Sequence, residues 1–171
     1  VMSIGRTMEE SLMKGVRGLE VGANHIYMKK FDSFSAEELE EYVKEGRDDR
    51  LFALAELLRR NVSVERLFEL TMITPYFLEV IDRIVKYEAV VKANPKDKAV
   101  LREAKSLGMS DAFIAGLWGM NELELYRLRE EEDLFPVYRI VDTYPREHAE
   151  KLNYLYSTYV AGNPNESSRS D

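Results

Sequence analysis

A hydrogen-bonding residue, then an apolar stripe at helical spacing, then glycine or proline: this succession recurs along nearly the whole chain and leaves few folds open. Thr7 with Glu10, Ser35 with Glu38 and Asn121 with Glu124 have the spacing of a capping box. In that device a short polar side chain and a glutamate three residues on satisfy the first free amides of a helix. Ser63 and Ser110 stand where a cap is needed, and Asp49 opens the run RLFALAELLRR. Thr74-Pro75 is a strong start, because proline in the first turn surrenders no hydrogen bond. An inner stripe follows each start: Leu12, Val16 and Leu19 up to Gly22, then Leu39, Tyr42 and Val43 up to Gly46. Leu51, Leu54, Ala55 and Leu58 form the next, and Leu67 and Phe68 a shorter one. The longest carries Leu78, Ile81, Val85 and Val91 to about Ala93, where Asn94-Pro95 ends it. Further helices are predicted over 97–107, from Ser110 and from Asn121. The fold class is therefore all-α, an irregular helical bundle, with Asn94-Pro95 as the expected boundary between lobes at about 7–94 and 95–160.

After Asp133 the pattern changes. LFPVYRIVDTY and YLYSTY are aromatic and β-branched, and they predict extended C-terminal segments packed on the bundle, with a short helix near 146–152. Five of the ten tyrosines lie between Tyr138 and Tyr159, just before Gly162, Asn163, Pro164, Asn165 and a polar tail. The chain opens on VMSIGRT with no methionine at position 1, and both ends read as cut. Residues 1–4 and those after Val160 are expected to be mobile.

Composition serves to exclude. The 171 residues contain no cysteine, so disulfides and thiolate metal sites are out. A net charge of −7 makes a poor partner for nucleic acid or an anionic membrane. No apolar run reaches the roughly 18 residues of a membrane span. His25 and His148 are the only histidines, with no second histidine at ligand spacing, and the abundant carboxylates are expected on solvated helix faces. Ser157 has no neighbouring base and reads as a structural hydroxyl. Gly15, Gly18 and Gly22 form no phosphate loop. Inside a helix Gly15 and Gly18 cost up to about 1 kcal/mol each, which predicts close packing of the first helix on a neighbour. Lys29-Lys30 and Arg59-Arg60 are expected to be solvated or helix-terminal. The methionines 8, 13, 72, 109 and 120 suit either core filling or an adaptable interface.

MSDAFIAGLWGMNELELYRLREE resembles a helix-turn-helix in outline. Residues 111–133, however, carry seven acids against two arginines, so the net charge is −5 and a recognition helix there would repel phosphates. A hairpin burying Ile114, Leu117, Trp118 and Leu128 is the better expectation. No catalytic, cofactor-binding or metal-binding residue is assigned anywhere in the chain.

Four stretches, in order and spanning almost the whole chain, are similar to the large subunit of carbamoyl phosphate synthetase. They are VMSIGRTMEESLMKGVRGLEVG, RLFALAELLRRNVSVERLFELTMITPYFLEVIDRIV, GMSDAFIAGLWGMNELELYRLR and FPVYRIVDTYPREHAEKLNYLYSTY. They resemble the helical oligomerisation, or connection, domain between the enzyme's two ATP-grasp halves. The resemblance implies that 1–6 close the first half, 7–160 form the helical domain and 161–171 link to the second half. Tyr154, Tyr156 and Tyr159 would then lie where connector, linker and neighbour meet. It implies a parent ligase that makes carbamoyl phosphate from bicarbonate, glutamine-derived ammonia and ATP, for pyrimidine and arginine biosynthesis in the cytoplasm. It further implies a glutaminase small subunit as partner, self-association, and ATP with Mg or Mn bound outside this segment, which by itself would be no enzyme. Where the family commonly has Asp and an aromatic, often Trp, this chain has Thr74 and Tyr76; Thr74 is expected to cap its helix all the same. Competing readings are a stand-alone helical interaction or ligand-binding domain and, less favoured, a helix-turn-helix DNA-binding protein.

Overall fold

A computed structural model describes residues 1–141 and 154–160. Among them are eight α-helices: α1 (Met8–Arg17), α2 (Ala36–Lys44), α3 (Arg50–Arg59), α4 (Val64–Thr71), α5 (Pro75–Ala93), α6 (Lys98–Ser106), α7 (Asp111–Trp118) and α8 (Glu122–Glu131). A 3₁₀ turn, Lys29–Ser33, precedes α2, and two strands, β1 (Val137–Val141) and β2 (Tyr154–Thr158), pair antiparallel. The fold is mostly helical, as the cap-and-stripe pattern requires, and the two extended segments are the two strands.

Most starts are made locally as expected. Ser35 and Asn121 form complete capping boxes with Glu38 and Glu124. Ser63, Asp97 and Ser110 each accept an amide of the first turn. α5 begins on Pro75 and runs to Ala93, burying Leu78, Ile81, Val85 and Val91. α5 is also the centre of the molecule, touching α1, α3, α4, α6 and α7, while α2 covers α3 and α4, and α8 lies on α7.

Several local expectations give way to tertiary contacts. Thr7 accepts from the Glu10 amide, but the Glu10 carboxylate does not return to the cap, so only half of that box forms. Thr74 makes no side-chain cap, and neither does Asp49, whose carboxylate instead accepts from the Tyr42 hydroxyl at 2.7 Å and from Lys30. α1 ends at Arg17 rather than near Gly22, which leaves Leu19 in water. α3 is apolar on more than the predicted face: Phe52, Ala53, Leu54, Ala55, Leu57 and Leu58 are all buried, and Leu51 only half so. A helix with apolar residues all round belongs in the interior. The Lys29–Ser33 turn, unforeseen in the sequence, inserts Phe31 into the core, edge-on to Phe34 and Tyr42.

One core cluster of buried side chains extends from Met13 on α1 through Leu57, Leu78 and Ile84 to Leu125 on α8 and Leu134. Gly15 and Gly18 allow the close packing they predict, against the N-terminal segment: a Cβ on Gly15 would lie 3.2 Å from Ser3 Oγ, and one on Gly18 3.1 Å from Val1. Gly108 is held tighter still. It sits at φ +85°, and a Cβ there would meet Glu10 and Met13 at 3.0 Å. Only glycine fits both that backbone and that gap.

Candidate functional site: interaction surfaces over a largely paired polar interior

The ionisable side chains that reach the interior are engaged with one another. His25 is buried, stacked on Phe113 at 3.6 Å and bonded through Nε2 to Glu88 at 2.7 Å. Arg59 grips the same carboxylate with two bonds of 2.8 Å and reaches the Ile26 carbonyl. Burial holds the His25 imidazole below its ordinary pKa, against the pull of Glu88. For Glu88, burial pushes the carboxyl up, but its bonds to Arg59 and His25 outweigh that and leave it below the usual range. The imidazole is stacked on a ring with Nε2 on a carboxylate, and its Nδ1 is buried without a hydrogen bond.

A second network lies under the α7–α8 hairpin. Asp111 pairs with Lys105 at 2.8 Å and with Arg129, and Lys105 also donates to the Met109 carbonyl. Burial lowers the Lys105 pKa, with Asp111 opposing. The Tyr159 ring lies near both cations, 4.8 Å from Lys105 Nζ and 5.4 Å from the Arg129 guanidinium, and burial raises its hydroxyl pKa. Of the two arginines in residues 111–133, Arg129 is thus buried and spent on Asp111, which leaves the exposed side of α8 still more acidic and unsuited to phosphates. The hairpin buries Ile114 and Leu125 fully, while Leu117, Trp118 and Leu128 are half-buried and Trp118 donates to the Val91 carbonyl at 2.6 Å. Leu125 was not among the residues the sequence nominated.

More charge is buried than solvated helix faces would allow. Arg59-Arg60 does end α3, as the helix-terminal alternative allows, but Arg60 is bonded to the Phe31 and Phe34 carbonyls and to Glu56. Glu9 and Glu10 are buried too. Ser157 lies on β2, where its carbonyl accepts from Lys14. His148 lies outside the described residues. Among the described residues no three His, Cys, Asp or Glu side chains converge as a metal site would require.

The outer surface is the less ordinary part. Met72, 73% exposed, occupies the left-handed C-cap of α4 at φ +56°. Glycine or asparagine is usual there, and an L side chain in that region costs about 1 kcal/mol. Tyr76 and Phe77, edge to face at 5.4 Å, stand exposed beside it on the first turn of α5. The β1–β2 hairpin forms another such face. The register sets Ile140 opposite Leu155 and Tyr138 opposite Ser157, so Tyr138, Ile140 and Leu155 share its outer side, with Leu155 62% exposed. Leu123 and Tyr126 are exposed on α8. Grouped apolar side chains in water mark contact surfaces. A groove of about 1020 Å³ between α3, α5 and α7 has Tyr27, Leu58, Val85, Phe113 and Leu117 in its walls. Its charged lining includes the Arg59–Glu88 and Lys86–Asp82 pairs, which already satisfy each other.

A helical body whose interior charges are paired, and whose loose ends are apolar and outward, belongs to the class of interaction modules. The carbamoyl-phosphate synthetase large chain oligomerisation domain matches residues 1–133, and the chain belongs to that family. The match takes in α1 through α8; the β1–β2 hairpin lies beyond it.

Proposed function

We propose that this domain joins two ATP-grasp halves of a carbamoyl phosphate synthetase large subunit and offers a surface on which such subunits associate. In this reading residues 1–6 close the preceding half, 7–160 form the connector with lobes at about 7–94 and 95–160, and 161–171 lead onward. The parent ligase makes carbamoyl phosphate from bicarbonate, glutamine-derived ammonia and ATP, with a glutaminase subunit as ammonia source, in the cytoplasm. The nucleotide and its Mg or Mn belong to the flanking halves, so the connector contributes geometry. Two distant active sites that share an unstable intermediate need a fixed mutual placement, and a rigid helical spacer supplies it.

The observation that supports this most is the family match together with apolar side chains turned outward at the α4–α5 corner and on the hairpin. No helix among the described residues is long and apolar enough to cross a membrane. Sedimentation velocity over a wide concentration range tests the reading: a homodimer or concentration-dependent association is expected. A strict monomer at high concentration would overturn it. Calorimetric titration with magnesium ATP is expected to show no binding to this chain, and micromolar binding would point instead to an independent ligand-binding domain.

A further inference from the structure

Glu10 stands at the third position of α1, where a capping box would turn its carboxylate back to Thr7. It turns elsewhere. Its Oε2 accepts from the Arg6 amide at 2.8 Å and from the Thr158 hydroxyl at 2.9 Å, and its Oε1 faces Lys14 Nζ at 2.9 Å. Lys14 Nζ in turn donates to the Ile4 carbonyl at 3.0 Å and to the Ser157 carbonyl, 5.6 Å from the centre of the Tyr156 ring. Glu10 is 2% exposed and Thr158 1%. One ion pair, its carboxylate buried and its ammonium half-buried, thus grips both the N-terminal segment and β2, with Glu10 and Thr158 148 residues apart in sequence. The N-terminal segment has further ties to α1: Ser3 and Ser11 exchange hydroxyl-to-carbonyl bonds of 2.8 and 3.2 Å. At Gly5 a Cβ would come within 2.7 Å of the Ser11 amide.

The physical consequence is coupling. A buried carboxylate is tolerated only while its oxygens are satisfied, so neither segment can move without stripping a hydrogen-bond donor from Glu10 in the interior. The ends of the domain therefore behave as one body at this point. We propose that Glu10 is a positioning residue, a clasp that with Lys14 and Thr158 fixes the segment leading into the helical body against the strand leading out of it. The proposal rests on the connector reading above. The two segments then lead to two different active sites, and the clasp sets the angle between them. A loosened clasp lets the intermediate passing between the sites escape. The ATP already consumed to make it then yields no product.

The test has two arms. In this chain, hydrogen exchange is followed at the β2 amides in Glu10→Gln, Thr158→Val, the double variant and Thr158→Ser. Each of the first two is expected to speed β2 exchange roughly tenfold, the size of one charge-assisted hydrogen bond. The double variant should be no faster than the faster single, Thr158→Ser should stay near the parent rate, and α3 and α5 should not change. Unchanged β2 exchange, or effects that simply add, overturns the clasp. In the full-length large subunit with its glutaminase, Thr158→Val is expected to raise the ATP consumed per carbamoyl phosphate formed at least about twofold while bicarbonate-dependent ATP consumption holds. Thr158→Ser should restore the ratio. If ATP consumption and product fall together, the residue is merely structural and the positioning role is overturned. If the unaltered full-length protein makes no carbamoyl phosphate, the connector reading fails, and the exchange arm still decides whether the clasp exists.

Discussion

The helical body and the β1–β2 hairpin are held by opposite means. In the body the apolar side chains face inward: Leu57, Leu78, Ile84 and Leu101 have no exposed surface at all. In the hairpin the inner contacts are polar, with Thr158 on Glu10 and Arg139 buried, while Tyr138, Ile140 and Leu155 face water. A two-stranded sheet alone is marginal, and an apolar outer face does nothing for it unless something lies on top. The body is built to stand by itself. The hairpin is built as a middle layer, docked through polar bonds on one side and left unfinished on the other.

The sharpest way to break that contrast is to make matched truncations. Leu57→Ala should lower the free energy of urea unfolding by about 2–5 kcal/mol, through lost burial and the cavity left behind. Leu155→Ala, the same chemistry on the hairpin's outer side, should change it by less than about 0.5 kcal/mol. Comparable losses at the two sites would mean that the hairpin's outer face is covered in the folded chain, and the contrast would fall.

A smaller effect tests the polar interior of the body. His25 is held neutral by burial, with Glu88 the acid beside it, Arg59 and Arg17 the nearby cations and Phe113 stacked on its ring. Its folded pKa lies below the ordinary 6.5. The unfolded chain therefore takes up a proton that the folded chain refuses. Stability is full above about pH 6.5 and falls as the pH drops below it, with a slope of at most about 1.4 kcal/mol per pH unit. Urea midpoints across that range should show the decline, and His25→Gln should flatten it. A decline that persists in His25→Gln would assign it to other groups.

Helix existence was legible in the sequence because capping and stripe periodicity are local: Ser35–Glu38, Asn121–Glu124, Ser63 and Pro75 needed no knowledge of the rest of the chain. What failed was polar. Asp49, Glu10 and Arg60 each carry a local signature, of helix start or helix end, yet each side chain is claimed by a partner from another element: Lys30, Thr158 and the Phe34 carbonyl. Arg60 reaches carbonyls 26 and 29 residues away. A charged side chain chooses between a nearby amide and a remote partner by what burial makes available, and periodicity carries no record of that. The outward apolar faces were half legible. Of the tyrosines concentrated after Tyr138, Tyr138 itself faces outward while Tyr156 and Tyr159 are half-buried, and Met72 gave no sign, because a methionine in a helical stretch reads equally well as core.

Met72 also offers the smallest and most discriminating test. Among the outward-turned apolar side chains of the helices it is the most exposed exception, at 73%, and it sits in a backbone conformation that disfavours it. If it served the fold, replacing it would cost stability. Asparagine tolerates the left-handed region better and has almost no burial to lose at this position. Met72→Asn should therefore raise the unfolding midpoint slightly, by the equivalent of about 0.5 kcal/mol. In sedimentation the same variant should associate more weakly than the parent if the corner it shares with Tyr76 and Phe77 is a contact surface. A gain in stability with loss of association marks a residue kept for a neighbour. A loss of stability would return Met72 to the body's inward-facing logic and erase the exception.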